Sequence, residues 1–122
     1  MKERYVTVVG ITHYYGNGLF SVGDVLRCKK EPDNVHDEEA IQVMLPFLGT
    51  VGYVANSFYT VAKGTMSAGR IHDTVKKRFY VRIMFITSNQ IICRIEENVD
   101  RKILEKEIEK QMSKKSNDEF WK

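Results

Sequence analysis

KKRFYVRIMFITSNQIICRI, residues 76–95, carries the strongest strand signal in the chain. From Phe79 to Ile86 aromatic and β-branched residues dominate, with Val81, Ile83 and Phe85 falling on one face at a period of two. Thr87-Ser88-Asn89-Gln90 reads as a hairpin turn and Ile91–Ile95 as the second arm. Upstream, similar short runs recur at Tyr5–Ile11, Asp24–Lys30, Ala40–Leu45 and Thr50–Val54. The stretches between them are turn chemistry: glycines from Gly16 to Gly23, Glu31-Pro32-Asp33-Asn34, and Pro46–Gly49. Strands this short and this closely spaced predict a small, mainly β domain, an antiparallel barrel or sandwich with strong curvature.

Helical signals are fewer. Asn56 is placed to cap a brief helix over Ser57–Lys63 that Gly64 would close, and a turn at Ser67-Ala68-Gly69 leads to a short strand at Arg70–Thr74. From Asn98 the period becomes helical, with Val99, Ile103, Leu104, Ile108 and Met112 on a stripe and Asn98 or Asp100 able to cap its start. Arg101 and Glu105 stand one turn apart, a surface pair worth about 0.3 kcal/mol. The stripe either packs on the β domain or forms a dimer contact. The expected organisation is a barrel domain over residues 1–97, a helix over 98–115 packed on it, and a tail over 116–122 that is frayed or bound in trans through Phe120 and Trp121.

A chain of 122 residues with 43% hydrophobic composition is the size of one domain with its own core. There is no signal-peptide pattern at the N-terminus and no apolar run long enough to span a bilayer, so a soluble, cytoplasmic protein is expected. Cys28 and Cys93 sit singly inside apolar runs and read as reduced core residues. The net charge of +3 is unevenly spread. Between residues 44 and 95 the cations Lys63, Arg70, Lys76, Lys77, Arg78, Arg82 and Arg94 face Asp73 alone, whereas both flanking segments are slightly acidic. A polyanion would be drawn to the middle of the chain.

Covalent catalysis needs a nucleophile beside a base, and the chain offers neither a glycine-flanked serine nor a cysteine outside an apolar run. It has no phosphate-binding glycine loop with Lys-Ser or Lys-Thr, which excludes an ATPase. His13, His36 and His72 are scattered, and as metal ligands they would have to converge with Asp37 in space. Single-stranded nucleic acid calls for exposed rings beside cations, because each base has a π face and each phosphate a charge. His13-Tyr14-Tyr15, Tyr53, and Phe79-Tyr80 beside Lys76-Lys77-Arg78 meet that description. On composition alone, core aromatics beside a solvated basic loop are the reading these residues favour.

Three stretches, in order, resemble the HIRAN domain family, which is found fused to helicase-like ATPases of fork remodelling and as free-standing bacterial proteins. Val8-Val9-Gly10-Ile11-Thr12-His13-Tyr14-Tyr15-Gly16 resembles its opening strand and aromatic pair; Glu31-Pro32-Asp33-Asn34 through His36-Asp37-Glu38-Glu39-Ala40-Ile41-Gln42-Val43 resembles its most diagnostic segment; and Val51-Gly52-Tyr53 resembles a third strand motif. The likeness spans about residues 5–95. It implies a modified OB-like antiparallel β-barrel that binds single-stranded DNA and, in some members, a free 3′ end. It also implies roles: Asp37 accepting the terminal sugar hydroxyl, His13, Tyr14, His36 and Tyr53 lining the pocket, and Phe79 or Tyr80 stacking a base. Thr12-His13-Tyr14 stands where helicase-fused members have Arg-Tyr-Tyr, and His36 where tyrosine is common. Stacking on imidazole would respond to pH.

The function expected is therefore a non-catalytic nucleic-acid-binding domain without a cofactor, contacting single-stranded DNA through the pocket around Asp37 and through Arg70, Lys76, Lys77 and Arg78. A helicase-like ATPase acting in trans is the partner that the resemblance implies. Two alternatives remain open: a metal-assisted phosphodiesterase using His13, His36, His72 and Asp37 with a divalent ion, or a protein-interaction adaptor.

Overall fold

The computed structural model describes residues 2–11 and 17–118. Its strands are β1 (Tyr5–Val9), β2 (Val25–Lys30), β3 (Ile41–Leu45), β4 (Gly49–Val54), β5 (Arg78–Ile86) and β6 (Ile91–Ile95). They pair antiparallel in the order β1-β4-β3-β2-β5-β6, and β6 returns to β1 to close a barrel. The mainly β, closed-barrel expectation is met. A 3-10 turn at Asn17–Leu19, a one-turn helix α1 (Ala68–Ile71) and a long helix α2 (Arg101–Asp118) complete the described elements. Among the described residues no helix is long and apolar enough to cross a membrane.

Strand alternation builds the core. β3 turns Ile41, Val43 and Leu45 inward and leaves Gln42 and Met44 outward, while Leu26, Cys28, Phe79, Val81, Ile83 and Cys93 join the same interior from neighbouring strands. Each fully buried aliphatic side chain contributes about 1.5–3 kcal/mol. Burial pushes both the Cys28 and Cys93 thiols up from their ordinary value, which leaves them protonated and inert. Gly52 is needed for closure: a Cβ there would sit 2.8 Å from the carbonyl oxygen of Val9 and 3.0 Å from Val8.

Three sequence expectations are corrected. The register shifts between Ile83 and Phe85, and this bulge turns Phe85 out of line with Val81 and Ile83, leaving it 62% exposed. The helix expected over Ser57–Lys63 is a series of turns, because the buried hydroxyl of Thr7 captures the Ala62 amide at 3.0 Å and the helical ladder stops after Val61 N–H donates to the Ser57 carbonyl. Arg70–Thr74 is not a strand: the Ser67 hydroxyl accepts from Arg70 N–H and caps α1, which takes up Arg70 and Ile71.

Helix α2 lies against the outer face of β2 and β5. Leu104 and Ile108 bury against Val25 and Tyr80, with Met112 half-buried beside them. Val99 and Ile103 of the anticipated stripe are exposed. In their place the docked face uses polar groups: the Gln111 amide accepts from Val25 N–H at 2.9 Å and donates to the Val25 carbonyl at 2.7 Å, and buried Lys115 meets Asp24 at 2.8 Å. Asp100, rather than Asn98, caps the helix by accepting from Lys102 N–H.

Candidate nucleic-acid interface

The loop between β2 and β3 is closed by its own polar side chains. Asn34 Oδ1 accepts from His36 N–H at 2.9 Å and Asp37 N–H at 3.1 Å, and Asp37 Oδ1 accepts from Glu39 N–H at 2.9 Å. Backbone bonds from Glu31 N–H to Ala40 and from Ala40 N–H to Asp37 bring the ends together. Two successive Asx turns thus explain Asn34 and Asp37, and the preceding turn closed by Asn34 N–H on the Glu31 carbonyl at 3.0 Å places Pro32 at its first central position. The second carboxylate oxygen of Asp37 accepts from Asn56 Nδ2 at 3.0 Å. A carboxylate has about four lone-pair positions, so a half-buried Asp37 holding two partners keeps acceptor capacity for a third.

Asn56, which was expected to cap a helix, instead ties this loop to α1. Its Nδ2 also donates to Glu39 Oε1 at 3.2 Å, and its Oδ1 accepts from Gly69 N–H at 2.8 Å. The Lys30 amide donates to the carbonyl of Lys77, which draws the segment before β5 to the same end of the barrel. His36, Asp37, Arg70, Lys76, Lys77 and Arg78 therefore collect around one rim.

Strand register continues this rim onto the barrel wall. Val9 pairs with Tyr53, Tyr53 with Gln42, Gln42 with Lys29, and Lys29 with Arg78. All are partly or fully exposed and, by alternation with inward neighbours, point outward. A transverse row thus runs from a half-exposed ring through an amide to two cations, one residue below the Asp37 loop. Arg78 also borders a groove of about 280 Å³ beside α2, with Lys29, Met44 and Arg101.

Other members of the candidate set lie elsewhere. Phe79 and Tyr80 are each 8% exposed: consecutive strand residues face opposite sides, and here the barrel interior takes one and α2 covers the other. Neither ring is a stacking surface. The Tyr80 hydroxyl donates to Glu105 and accepts from Arg101 Nε, and burial together with Glu105 raises its pKa. His13 and Tyr14 lie outside the described residues, as does the Phe120-Trp121 tail. His72 sits after α1 with Nδ1 3.7 Å from Asp73, and among the described residues no three His, Cys, Asp or Glu side chains group to hold a metal ion.

The free positive charge is also less than the sequence count. Arg82 is bound by Glu96 and Glu107, and Arg94 by Glu3 and Glu96. Arg27 pairs with Glu105 and Arg4 with Glu97. These guanidiniums hold Glu97, Glu105 and Glu107 below the ordinary carboxylate value, each through a direct hydrogen bond. Lys29, Lys30, Arg70, Lys76, Lys77 and Arg78 have no carboxylate partner among the described residues, and all stand at or beside the rim.

One end of the closed antiparallel barrel thus gathers a half-exposed ring and cations that have no carboxylate partner among the described residues. The chain belongs to the HIRAN domain family, whose model matches residues 1–102; the family is generally a DNA-binding one. The crystal structure of the HIRAN domain of human HLTF superposes with a TM-score of 0.54 at 16% identity, over 89% of this chain and 88% of that one, which shows a shared fold. A protein from Lactobacillus plantarum aligns at 21% identity with a TM-score of 0.46, over 77% of this chain and 93% of that one. No curated protein matches the chain.

Proposed function

We propose that this domain binds single-stranded DNA across the rim, with a free 3′ end at Asp37 and the strand running over the row from Tyr53 toward Lys29 and Arg78. The observation that carries the reading is the register row itself, which sets a ring, an amide and two cations without a carboxylate partner among the described residues in one line on the outer wall. Stacking on a ring and neutralisation of phosphates are the two contributions that sequence-tolerant single-strand binding needs. Asp37 supplies the selector. A carboxylate with spare acceptor capacity welcomes a terminal hydroxyl and repels a phosphate in the same place.

Fluorescence anisotropy with a short oligonucleotide ending in a 3′ hydroxyl, and with the same oligonucleotide ending in a 3′ phosphate, tests both halves of the reading. The hydroxyl end is expected to bind at least about tenfold more tightly, equivalent to about 1.4 kcal/mol. Equal affinities would remove end recognition, and no binding of either at low salt would overturn the DNA-binding reading altogether.

A further inference from the structure

The loop after β4 holds two large rings that are left uncovered among the described residues. Phe58 is 90% exposed and Tyr59 92%, and they meet edge to face with centroids 5.7 Å apart and planes at 86°. Neither contributes to the hydrophobic core. The cleft beside Phe58, about 360 Å³, is also lined by Asn56, Lys63, Ser67 and Arg70. Lys63 and Arg70 are exposed and have no carboxylate partner among the described residues. Asn56 joins this cleft to the Asp37 loop, because the amide that lines it donates to the Asp37 carboxylate.

From this juxtaposition we infer that Phe58 and Tyr59 form a second base-stacking platform, which takes the nucleotides next to the terminal one while Lys63 and Arg70 hold their phosphates. The inference rests on the single-stranded DNA reading and adds residues to it that strand patterns do not point to. Charge selects the occupant: two uncovered rings flanked by two unpaired cations suit a chain that alternates π faces with negative charges. The perpendicular rings present faces in different directions, so a strand that uses both must turn as it leaves the Asp37 end.

The test compares wild type with F58A/Y59A on oligothymidylates of four and twelve nucleotides, each with a 3′ hydroxyl and a 3′ phosphate. The double variant is expected to lose about tenfold or more in affinity for the twelve-mer, in line with the loss of base–ring stacking, and to keep the wild-type ratio between hydroxyl and phosphate ends. Because both rings are exposed, its melting temperature should match wild type. In a W121F background, F58W fluorescence should be quenched on adding the twelve-mer. Unchanged twelve-mer affinity with end discrimination intact overturns the platform and leaves the end site standing. Failure of wild type to bind any oligonucleotide overturns both. Wild-type self-association abolished by F58A/Y59A would assign the rings to a second copy of the chain and also overturn the proposal.

Discussion

Asn56 joins three segments that are far apart in the chain: its amide donates to Asp37 and Glu39 of one loop and accepts from Gly69 of α1. Removing it leaves the Gly69 amide and a half-buried carboxylate with fewer partners, and a lost hydrogen bond to a charged group costs about 1.5–3 kcal/mol. Asn56→Ala is expected to lower stability by about that amount and to weaken discrimination between 3′ hydroxyl and 3′ phosphate ends, since Asp37 is no longer held in place. Thermal melting and the anisotropy pair check this, and an unchanged melting temperature would contradict the bridging role. The Asp37 loop was readable from sequence because proline, Asn34 and Asp37 act on their own neighbours. The role of Asn56 was not, because each of its partners is more than ten residues away.

Helix α2 is held to the barrel by Leu104 and Ile108, and by carboxylates that meet arginines: Glu105 on Arg27 and Glu107 on Arg82. Both carboxyls lie below their ordinary value of 4.5, so the stability they add is fully present above that value and is lost as pH falls through their depressed folded values. Acidification below about pH 4.5 is expected to loosen the helix. E105Q/E107Q should be less stable than wild type at neutral pH and lose less on going from pH 7 to pH 3, measured by thermal melting. Parallel curves for the two proteins would contradict this. All six strands were legible because alternation and turn residues act locally. The docked face of α2 was only partly so: an apolar stripe identifies Leu104 and Ile108, but Glu105, Gln111 and Lys115 face the barrel because of what lies opposite them. Tyr80 was misread for the same reason, since only the docked helix makes the outer side of β5 an interior, whereas Phe79 turns into the barrel core by strand alternation. The three consecutive apolar residues Phe79–Val81 were the signal for burial on both faces at that point of β5.

Across the molecule the ion pairs divide the surface. Arg27 and Arg82, on the wall beneath α2, are neutralised, whereas the cations around the Asp37 end have no carboxylate partner among the described residues. A strand that engages three or four of them should show a log–log salt slope of about −2 to −3, and replacing two, as in K29A/R78A, should reduce its magnitude by about 1.4. Anisotropy titrations between low and moderate salt give the slope directly, and an unchanged slope in the variant would remove the row from the path. A count of charges along the sequence found the basic segment but not this division, because the carboxylates that cancel Arg82 and Arg94 come from residues 3, 96 and 107.

The return of β6 to β1 has a consequence for how this domain meets other molecules. Each of the six described strands has a neighbour on both sides, with β1 and β4 meeting only at Val8–Val54 and Val9–Tyr53, so none is left as a full open edge by which sheets recruit a foreign strand or stack into fibres. Whatever docks here must do so through side chains and loops, and its grip can be retuned by surface substitution without disturbing the hydrogen-bonded frame.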